Sequence, residues 1–468
     1  MKLIAGAIII VLSTGCAMRS SGSSSSGPSA GRAPSSADTA VIQESSVRAH
    51  MEFLASDAMN GRGSGTRDEW IAVTYVASHL RRLGLEPMGD DGGYIQTISM
   101  ERPDLSAPPV LTIGSRKFTH GAEITVGAMS AATVSGAVAR HTKGTPAARG
   151  TAIVTPAAAP IATELAGASL ILTKTGGCGP QRGPAGALPR VATRTIGVAG
   201  APPRPTCIAL NDEAYAAAEG ADAGATVTLA GPTKEVVRTQ TWNAVGRLPG
   251  SDPAQAQEVI LLSAHIDHVG TGRAPAAPGA DTIYNGADDD ASGSIAVLEL
   301  AEAFVKGERP KRTIVFGWFG SEESGGTGSR YFADKAVVPL DKIVANLQFE
   351  MIGRPDAKVP PHTLWLTGYE RSTLGPELAK RGAKLVQDPH PDQSFFTRSD
   401  NIQFARRGVI AHTVSSFGLH KDYHQASDEI DTIDFAHMTD SIRSMVAPIR
   451  WLASSSFKPD WLPGQKPQ

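Results

Sequence analysis

Between residues 240 and 455, short apolar runs alternate with longer stretches in which apolar positions recur at helical spacing. The run at 259–263, VILLS, is typical of a strand that is buried on both faces. Strands that alternate with helices predict an α/β domain with a mostly parallel central sheet flanked by helices. The other predicted strands and helices of this domain are 313–319, 344–349, 364–367 and 409–414 for strands, and 295–305 and 435–452 for helices.

The first part of this domain precedes a region of different texture. Residues 41–103 carry two helical patterns separated by the string NGRGSG, and Thr66 with Glu69 forms a capping-box signature at the second helix. From 104 to 231, short Val, Ile and Leu runs alternate with Gly, Pro, Ala and Thr, which predicts an inserted β-rich domain. We therefore expect residues 41–103 and 232–458 to form one domain that is interrupted by residues 104–231.

The first 40 residues have the composition of an export signal followed by a tether. An apolar run at 3–12 is too short to span a bilayer, and small residues then lead to Cys16. Residues 1–16 resemble a bacterial lipoprotein signal, with an ordinary cleaved signal peptide as the alternative, and residues 17–40 indicate a flexible Ser/Gly-rich linker. We expect an exported protein of the bacterial cell envelope, lipid-anchored at Cys16 and facing the periplasm or the cell surface.

Net charge and cysteine content bear on nucleic-acid binding, on metal binding by cysteine and on disulfide formation. The 468 residues include 44 Lys and Arg against 46 Asp and Glu, so the net charge of −2 gives no indication of nucleic-acid binding. The two cysteines besides Cys16, Cys178 and Cys207, are not in a CxxC spacing and do not indicate a cysteine zinc site. In an oxidising compartment we expect them to form a disulfide within the inserted region; two free buried thiols are the alternative.

Side chains of metal-binding type follow the predicted strands. Carboxylates as dense as the run Asp288-Asp289-Asp290 persist in a folded interior mainly where a cation offsets their charge. In open α/β sheets, ligands bind beyond the carboxyl ends of the strands, where these side chains would meet. The segments that supply them are His265, the aspartates 288–290, Glu322 with Glu323, Glu350 and His424.

This set suits a centre with two metal ions. Two divalent ions a few Å apart need about four oxygen or nitrogen ligands each, and one carboxylate usually bridges them. Imidazole and carboxylate without thiolate favour zinc, with cobalt or manganese as substitutes. Asp267 is placed to orient the ring of His265 from the outer shell. Spacing alone leaves open which aspartate of 288–290, and which of Glu322 and Glu323, binds metal.

Six strings along the chain carry a family resemblance: AHIDHVGTG, YNGADDDASG, GSEESGGTGS, EMIGR, RSDN and DYHQASDEID. They resemble the co-catalytic zinc exopeptidases, which include bacterial leucyl aminopeptidases, plasma glutamate carboxypeptidase and glutamate carboxypeptidase II. The resemblance covers about residues 45–100 and 241–455, and the string SSVRAHMEFLASDAMNGRGSGT near the start of the first range also resembles members with an inserted protease-associated domain. It implies the zinc exopeptidase fold, a protease-associated-like insertion, two zinc ions per chain and a peptide substrate.

The resemblance also gives roles to single residues. Glu322 would be the general base that takes a proton from the attacking water and returns it to the leaving amine. Tyr423 would donate to the oxyanion, as a tyrosine does there in related carboxypeptidases; a packing aromatic is the alternative. His268 and His420 fall outside the matched positions. The implied metal ligands are His265, Asp289 as the bridging carboxylate, Glu323, Glu350 and His424.

The sequence departs from the family pattern at three places. Glu350 stands where the well-known aminopeptidases have aspartate, and its extra methylene shifts the carboxylate by about 1 Å, the tolerance of a preorganised site. Asn401 follows Ser399-Asp400 where the family often has histidine, which we expect to change substrate contacts. Phe396 lies where some aminopeptidases have a tyrosine, and it cannot donate a hydrogen bond.

The leading interpretation is an aminopeptidase that removes N-terminal residues from peptides. A carboxypeptidase or dipeptidase of the same family is the first alternative, and it requires a basic pocket that Arg398, Arg354 or Lys421 could line. A non-catalytic receptor or scaffold with the same fold is the second, although every ligand position retains a residue of ligating type. An aminoacyl cyclase with one zinc is the third, and the intact glutamate pair disfavours it.

Overall fold

The computed structural model describes residues 41–158, 163–178, 187–198, 204–272, 279–335 and 337–467. The predicted signal, Cys16 and the linker lie outside these residues. Within the described ranges, no helix has the length and apolar content needed to cross a membrane. The α-helices there are α1 (Glu44–Leu54), α2 (Arg67–Arg82), α3 (Asp212–Gly220), α4 (Gly293–Lys306), α5 (Thr327–Asp334), α6 (Leu374–Lys380), α7 (Asn401–Ala405) and α8 (Phe435–Ser454).

The strands divide between two large sheets and two small ones. In chain order they are β1 (Glu86–Pro87), β2 (Ile95–Leu105), β3 (Val110–Ile113), β4 (Arg116–Thr119), β5 (Ile124–Val126), β6 (Ala128–Met129), β7 (Thr133–Arg140), β8 (Thr151–Val154), β9 (Leu170–Lys174), β10 (Arg190–Val191), β11 (Arg194–Thr195), β12 (Thr206–Leu210), β13 (Thr226–Ala230), β14 (Thr233–Leu248), β15 (Val259–His265), β16 (Gly270–Thr271), β17 (Ile283–Tyr284), β18 (Thr313–Phe319), β19 (Ile343–Phe349), β20 (Leu364–Leu366), β21 (Leu385–Gln387) and β22 (Ala411–Ser415).

The larger sheet has the order β11-β2-β14-β18-β15-β19-β22-β20-β21, with β1 paired to β14. Its four middle strands, β18, β15, β19 and β22, run parallel to one another. Strand β14 pairs antiparallel with β18, and β20 pairs antiparallel with β22. The predicted α/β class is confirmed: the centre of the sheet is parallel, the pairings from β18 outward to β11 are antiparallel, and at the other margin β20 pairs parallel with β21.

Burial explains why the middle strands are continuous apolar runs. All seven residues of β15 and all seven of β18 are buried. Helices α1, α4 and α8 pack into the main hydrophobic core with these strands, and α4 is buried over most of its length. A strand covered on both faces has no polar side to alternate with, so its sequence loses the period of two.

A second sheet explains the short apolar runs that begin after residue 104. Its order is β4-β3-β13-β7-β8-β9-β12-β5, and its strands lie between Val110 and Ala230 with their own hydrophobic core. The predicted disulfide is confirmed: Cys178 and Cys207 are bonded, with Cα atoms 5.8 Å apart. Strand β11 leaves this region and pairs with β2 at the margin of the central sheet, so the inserted residues also contact the larger domain.

Candidate metal centre

The four parallel middle strands end at one edge of the sheet, and a candidate ligand follows each of them. His265 is the last residue of β15, and Glu350 follows β19 directly. Glu323 lies in the turn after β18, and His424 lies in the loop after β22. Asp289 lies in the segment Ala287–Ser292, which leads into α4, and its own backbone angles there are non-helical. The topology therefore brings together five residues that are up to 159 positions apart in the chain.

These side chains form two groups that share Asp289. The first group is His265, Asp289 and Glu350, and within each group the ligand atoms lie within 4.8 Å of one another. His265 Nε2 is 3.2 Å from one carboxylate oxygen of Asp289, and His424 Nε2 is 3.2 Å from the other. A carboxylate with one oxygen facing each group is suited to bridge two cations. The second group is His268, Asp289, Glu323 and His424.

His268 is the member of the second group that the sequence analysis left outside the site. Its ring is fully buried, and its Nδ1 lies 3.1 Å from Glu323 Oε1 and 3.8 Å from Asp289 Oδ2. Neither ring nitrogen has a hydrogen-bond partner among the described residues. The one feature of the sequence that pointed to His268 as a ligand was its position three residues after His265. That spacing does not determine where a side chain in a loop points. Gly286 makes room for it, because a Cβ there would lie 2.5 Å from His268 Cγ.

Hydrogen bonds explain why Asp289, rather than Asp288 or Asp290, lies between His265 and His424. The carboxylate of Asp428 accepts from the backbone N–H groups of Asp288 and Asp289 at 3.0–3.2 Å, which fixes this turn. Asp288 is occupied by three partners: the Gly353 N–H (2.8 Å), the Ser292 hydroxyl (3.2 Å) and the His420 ring (3.0 Å). Asp290 is likewise occupied by three backbone N–H groups, those of His265 (3.2 Å), Gly293 (3.0 Å) and Met351 (3.1 Å).

Two buried carboxylates hold the turn that carries the glutamate pair. Asp267 accepts from the backbone N–H groups of Glu322 (2.9 Å) and Glu323 (3.3 Å). Glu69, on α2, accepts from the N–H of Ser321 at 2.8 Å. The sequence indicated only a capping box for Glu69. Thr66 does accept the N–H groups of Asp68 and Glu69, but the Glu69 carboxylate accepts from the N–H of Gly65 rather than from that of Thr66. The hydrogen bonds to Asp267 and Glu69 fix the turn. The Glu322 side chain lies outside both ligand groups.

The expected partnership of Asp267 with His265 takes a different form. The nearest acceptor to His265 Nδ1 is the backbone carbonyl of Asp267, at 3.1 Å, whereas the carboxylate is 3.8 Å away. The carboxylate is committed to the turn of Glu322 and Glu323 instead. The main-chain carbonyl of Asp267 therefore orients His265, and its carboxylate holds the turn of Glu322 and Glu323. The residue types alone do not predict this division of roles.

Arg62 is a second positioning residue that the sequence analysis missed. It is only 1% exposed, and burial lowers the pKa of its guanidinium. The guanidinium donates to the carbonyl oxygens of Ile266 (3.1 Å), Asn285 (2.7 Å) and Gly286 (3.0 Å), and also to that of Leu54. It thereby ties the loop after β15 to the segment before Asp289. In the sequence it lies in the string NGRGSG, where the glycines indicated only a helix break.

Three of the site segments have backbone in the left-handed region. Ser321, Met351 and His424 have φ of 53°, 52° and 55°. Residues with a side chain adopt this conformation rarely, at a cost of roughly 1–3 kcal/mol each, and such residues cluster at functional sites. Ser321 precedes Glu322 and Met351 follows Glu350, so in each case the unusual residue directs a candidate site residue.

The electrostatics of the cluster indicate an excess of negative charge. Burial raises the pKa of Glu350 to about 7, with Asp289 adding to the shift and His265 opposing it. Burial acts to lower the pKa of His424, yet the carboxylates of Asp289 and Glu323 raise it to about 9. Burial and Asp289 act to raise the pKa of Glu323, but the His268 and His424 rings hold it at about 2. Imidazolium ions alone would thus have to offset several buried carboxylates, a task better suited to divalent cations.

These observations fit resident metal ions. Ring nitrogens of His268 and an oxygen of Glu323 are buried and close together but lack hydrogen-bond geometry. That arrangement is expected of donors that point at a common ion rather than at each other. Nitrogen and carboxylate donors without a thiolate are the chemistry of zinc. Glu350 reaches the first group despite its extra methylene, and the hydroxyl of Ser399 donates to it.

A small pocket opens beside the first group. Its volume is about 30 Å³, and its wall includes Glu350, Arg398 and Tyr423 together with the aromatic rings of Trp365 and Phe395. The Tyr423 ring stacks on His424 with 3.9 Å between centroids, so the predicted donor lies next to a candidate ligand. Burial, and then the charges of Asp289, Glu323 and Glu350, raise the pKa of Tyr423, so its phenol keeps its proton.

The contacts of the remaining aromatic and basic candidates show which of them lines this pocket. Phe396 does not line this pocket; it packs against Arg371 and Trp461. Arg354 forms an ion pair with Asp422 at 2.9 Å. Arg398 lines the pocket with its guanidinium 4.9 Å from the Phe395 ring centroid. Of the three basic residues considered for a substrate carboxylate, Arg398 is therefore the one on the pocket wall, and Lys421 is an exposed residue outside it.

Known proteins resemble this chain in both sequence and fold. Residues 243–447 match the sequence profile described as Peptidase family M28. Leupeptin-inactivating enzyme 1 of Streptomyces exfoliatus is 35% identical over 117 residues, which are 25% of this chain and 23% of that protein. Leucine aminopeptidase 2 of Arthroderma otae is 28% identical over 236 residues, 45% of this chain and 44% of that protein. The chain thus spans less than half the length of these two relatives.

A solved structure matches over nearly the whole chain. The aminopeptidase from Aneurinibacillus sp. strain AM-1 superposes with a TM-score of 0.53 and 18% identity, over 92% of this chain and 98% of that one. At this identity the similarity concerns the fold alone. It agrees with the α/β architecture of this chain.

Proposed function

We propose that the chain, whose residues 243–447 match the profile of Peptidase family M28, is a zinc-dependent exopeptidase that removes N-terminal residues from peptides. The observation that carries this proposal is the pair of ligand groups sharing Asp289, with the Glu322 carboxylate beside them and outside both. His265, Asp289 and Glu350 would hold one zinc ion. Asp289, Glu323 and His424, together with His268, would hold the other.

Zinc bound there would supply a water of lowered pKa and a positive charge for the peptide carbonyl. The chain's own residues supply the rest. Burial, then the charges of Asp400 and Glu350, raise the pKa of Glu322, the direction that a general base at neutral pH needs. Glu322 would accept a proton from the attacking water and deliver it to the departing amine. The Tyr423 hydroxyl would donate to the oxygen of the former carbonyl. The pocket lined by Trp365 and Phe395, which we call the aromatic pocket, would exclude water from the side chain of the substrate's N-terminal residue.

We expect Glu322→Gln to lower kcat by roughly a hundredfold or more, since the amide cannot accept the proton. Zinc content should stay as in the unsubstituted protein, because the Glu322 side chain lies outside both ligand groups. Steady-state kinetics on a leucyl-nitroanilide and metal analysis of the same preparation measure the two effects. Near-unchanged turnover would remove Glu322 from its role, and loss of zinc would make it a ligand.

We expect chelator-treated protein to take up two zinc ions per chain, and His424→Ala or His268→Ala to weaken the second site. Removing a partner in the outer shell costs about 10–100-fold in affinity, so loss of a direct ligand should exceed that. Competition with a chromogenic chelator measures the affinities. His141→Ala is the matched control, because this ring pairs with Glu164 in the inserted region. Unchanged affinity in His268→Ala would exclude that ring as a ligand, and a single zinc in the parent would favour the one-zinc cyclase.

A substrate panel separates aminopeptidase from carboxypeptidase. We expect cleavage of aminoacyl-nitroanilides and of peptides with a free N-terminus, and no cleavage of N-blocked peptides with a free carboxyl end. The carboxypeptidase or dipeptidase alternative keeps one favouring observation, the Arg398 guanidinium on the pocket wall. Cleavage of N-blocked peptides that Arg398→Gln abolishes would establish that alternative. Two bound zinc ions with no turnover of any substrate would leave the non-catalytic scaffold.

We also propose export and a lipid anchor at Cys16, supported by the sequence of residues 1–16. The protein would then act on peptides in the periplasm or at the cell surface of a bacterium. In cell fractionation, we expect the full chain with its natural leader to sediment with membranes and Cys16→Ser to be released. Equal membrane association of the two forms would contradict lipidation.

A further inference from the structure

A wide cleft separates part of the inserted region from the domain that carries the metal centre. Its volume is about 1250 Å³, above the roughly 300–1,000 Å³ that is typical of a small-molecule pocket. One wall is formed by the turn at Glu322–Thr327 and by α7, the other by Ala166, Arg204 and the segment around β11. We call this space the interdomain cleft. Its lining includes Glu322 and Glu323, so it adjoins the metal centre.

The charged residues that line the interdomain cleft have a marked asymmetry. Among the described residues, its acidic lining consists of Glu322 and Glu323, both at the metal end. The rest of its charged lining is arginine, contributed by both walls. These arginines are Arg204 from the inserted region and Arg330, Arg398 and Arg406 from the larger domain.

The contacts of these arginines leave their charges available. Arg204 and Arg406 are exposed, and neither forms an ion pair with a described residue. Arg398 rests against the rings of Phe395 and Tyr423, which orient it without neutralising it. Arg330 donates to the Gly325 carbonyl at 2.7 Å and so also supports the turn after the glutamate pair.

Arg407, the neighbour of Arg406, behaves in the opposite way. Its guanidinium donates to Asp334 at 2.6 Å and to the Gln403 carbonyl at 2.6 Å, and it does not line the cleft. Two adjacent exposed arginines thus differ in whether a protein carboxylate already satisfies them. The unpaired one is the one that faces the space in which a peptide would lie.

We propose that the interdomain cleft binds the downstream part of the peptide substrate through carboxylates, which are either acidic side chains or the free C-terminal carboxylate. This inference rests on the proposed exopeptidase function. With the scissile bond at the metal centre and the N-terminal side chain in the aromatic pocket, the remaining residues leave through the cleft. There they meet Arg204, Arg398 and Arg406. The inserted region would then select substrates by their downstream sequence rather than by the residue removed.

The expected size of the effect follows from the exposure of these charges. A solvent-exposed carboxylate–guanidinium contact is weak, so each arginine should change kcat/KM by at most about fivefold. The contacts are remote from the scissile bond and are made equally before and during reaction, so the change should appear in KM with kcat little altered. Because exposed charges are screened, the preference should shrink as ionic strength rises.

Three peptides test the proposal and separate the two carboxylate sources. Leu-Ala-Glu-Glu-amide carries acidic side chains only, Leu-Ala-Gln-Gln with a free carboxyl end carries the terminal carboxylate only, and Leu-Ala-Gln-Gln-amide carries neither. Each would be measured with the zinc-loaded protein, with Arg406→Gln, with Arg204→Gln and with both changes combined. Arg407→Gln is the matched control for a lost surface arginine, and Arg406→Lys tests whether charge suffices.

We expect one or both carboxylate peptides to be cleaved with a severalfold lower KM than the neutral amide. The advantage should shrink in each single variant, by at most about fivefold, and disappear in the double variant. It should persist in Arg407→Gln and partly in Arg406→Lys. Equal KM values for the three peptides, or a preference that Arg204 and Arg406 variants retain in full, would overturn the proposal.

The outcome is distinguishable from a failure of the proposed function. Turnover of the neutral amide peptide by the unsubstituted protein establishes the exopeptidase independently of the cleft. Thermal unfolding and zinc content of each variant exclude a loss of folding or of metal as the cause of a higher KM. Absence of turnover on all three peptides by the zinc-loaded protein would reject the exopeptidase and the cleft proposal with it.

Discussion

The crowding of carboxylates beyond four parallel strands is the constraint on which the rest of this structure depends. Asp267, Asp288, Asp289 and Asp290 are all buried within one edge of the sheet. Each buried carboxylate loses hydration and repels its neighbours, so it must find donors or a cation. Most find backbone N–H groups, as Asp290 does with three of them. Asp289 faces imidazole rings instead, and a cation is the partner that its position calls for.

The surrounding residues divide between holding the chain and facing the centre. Asp428, Asp267 and Glu69 accept backbone N–H groups of the two turns that present Asp289 and Glu323. Arg62 donates to backbone carbonyls of the loops behind His265 and Asp289, and so supplies a buried positive charge that the ligands do not consume. Such outer contacts fix ligand orientation and are commonly worth 10–100-fold in metal affinity. Side chains outside the two ligand groups would therefore contribute to the metal affinity that we propose.

The sequence was sufficient for features that depend on pattern and chain order. Buried runs gave the parallel strands, and strand ends gave the segments that bear ligands. It was insufficient where the outcome depends on side-chain direction in a loop: His268 was left outside the site, and Asp267 was expected to reach His265 by its carboxylate. Glu69 and Arg62 were assigned to a cap and a helix break, since their partners lie 252 and 204 residues away in the chain. Such long-range hydrogen bonds have no local signature.

The most direct test of this account is X-ray diffraction at the zinc absorption edge from crystals of the zinc-loaded protein. The account predicts two anomalous peaks on either side of Asp289, with nitrogen and oxygen ligands at about 2.0–2.2 Å. One peak should contact His265 and Glu350, and the other should contact Glu323, His424 and His268. A single peak, or two peaks of which neither contacts Asp289, would contradict the central claim that this carboxylate bridges a two-metal centre.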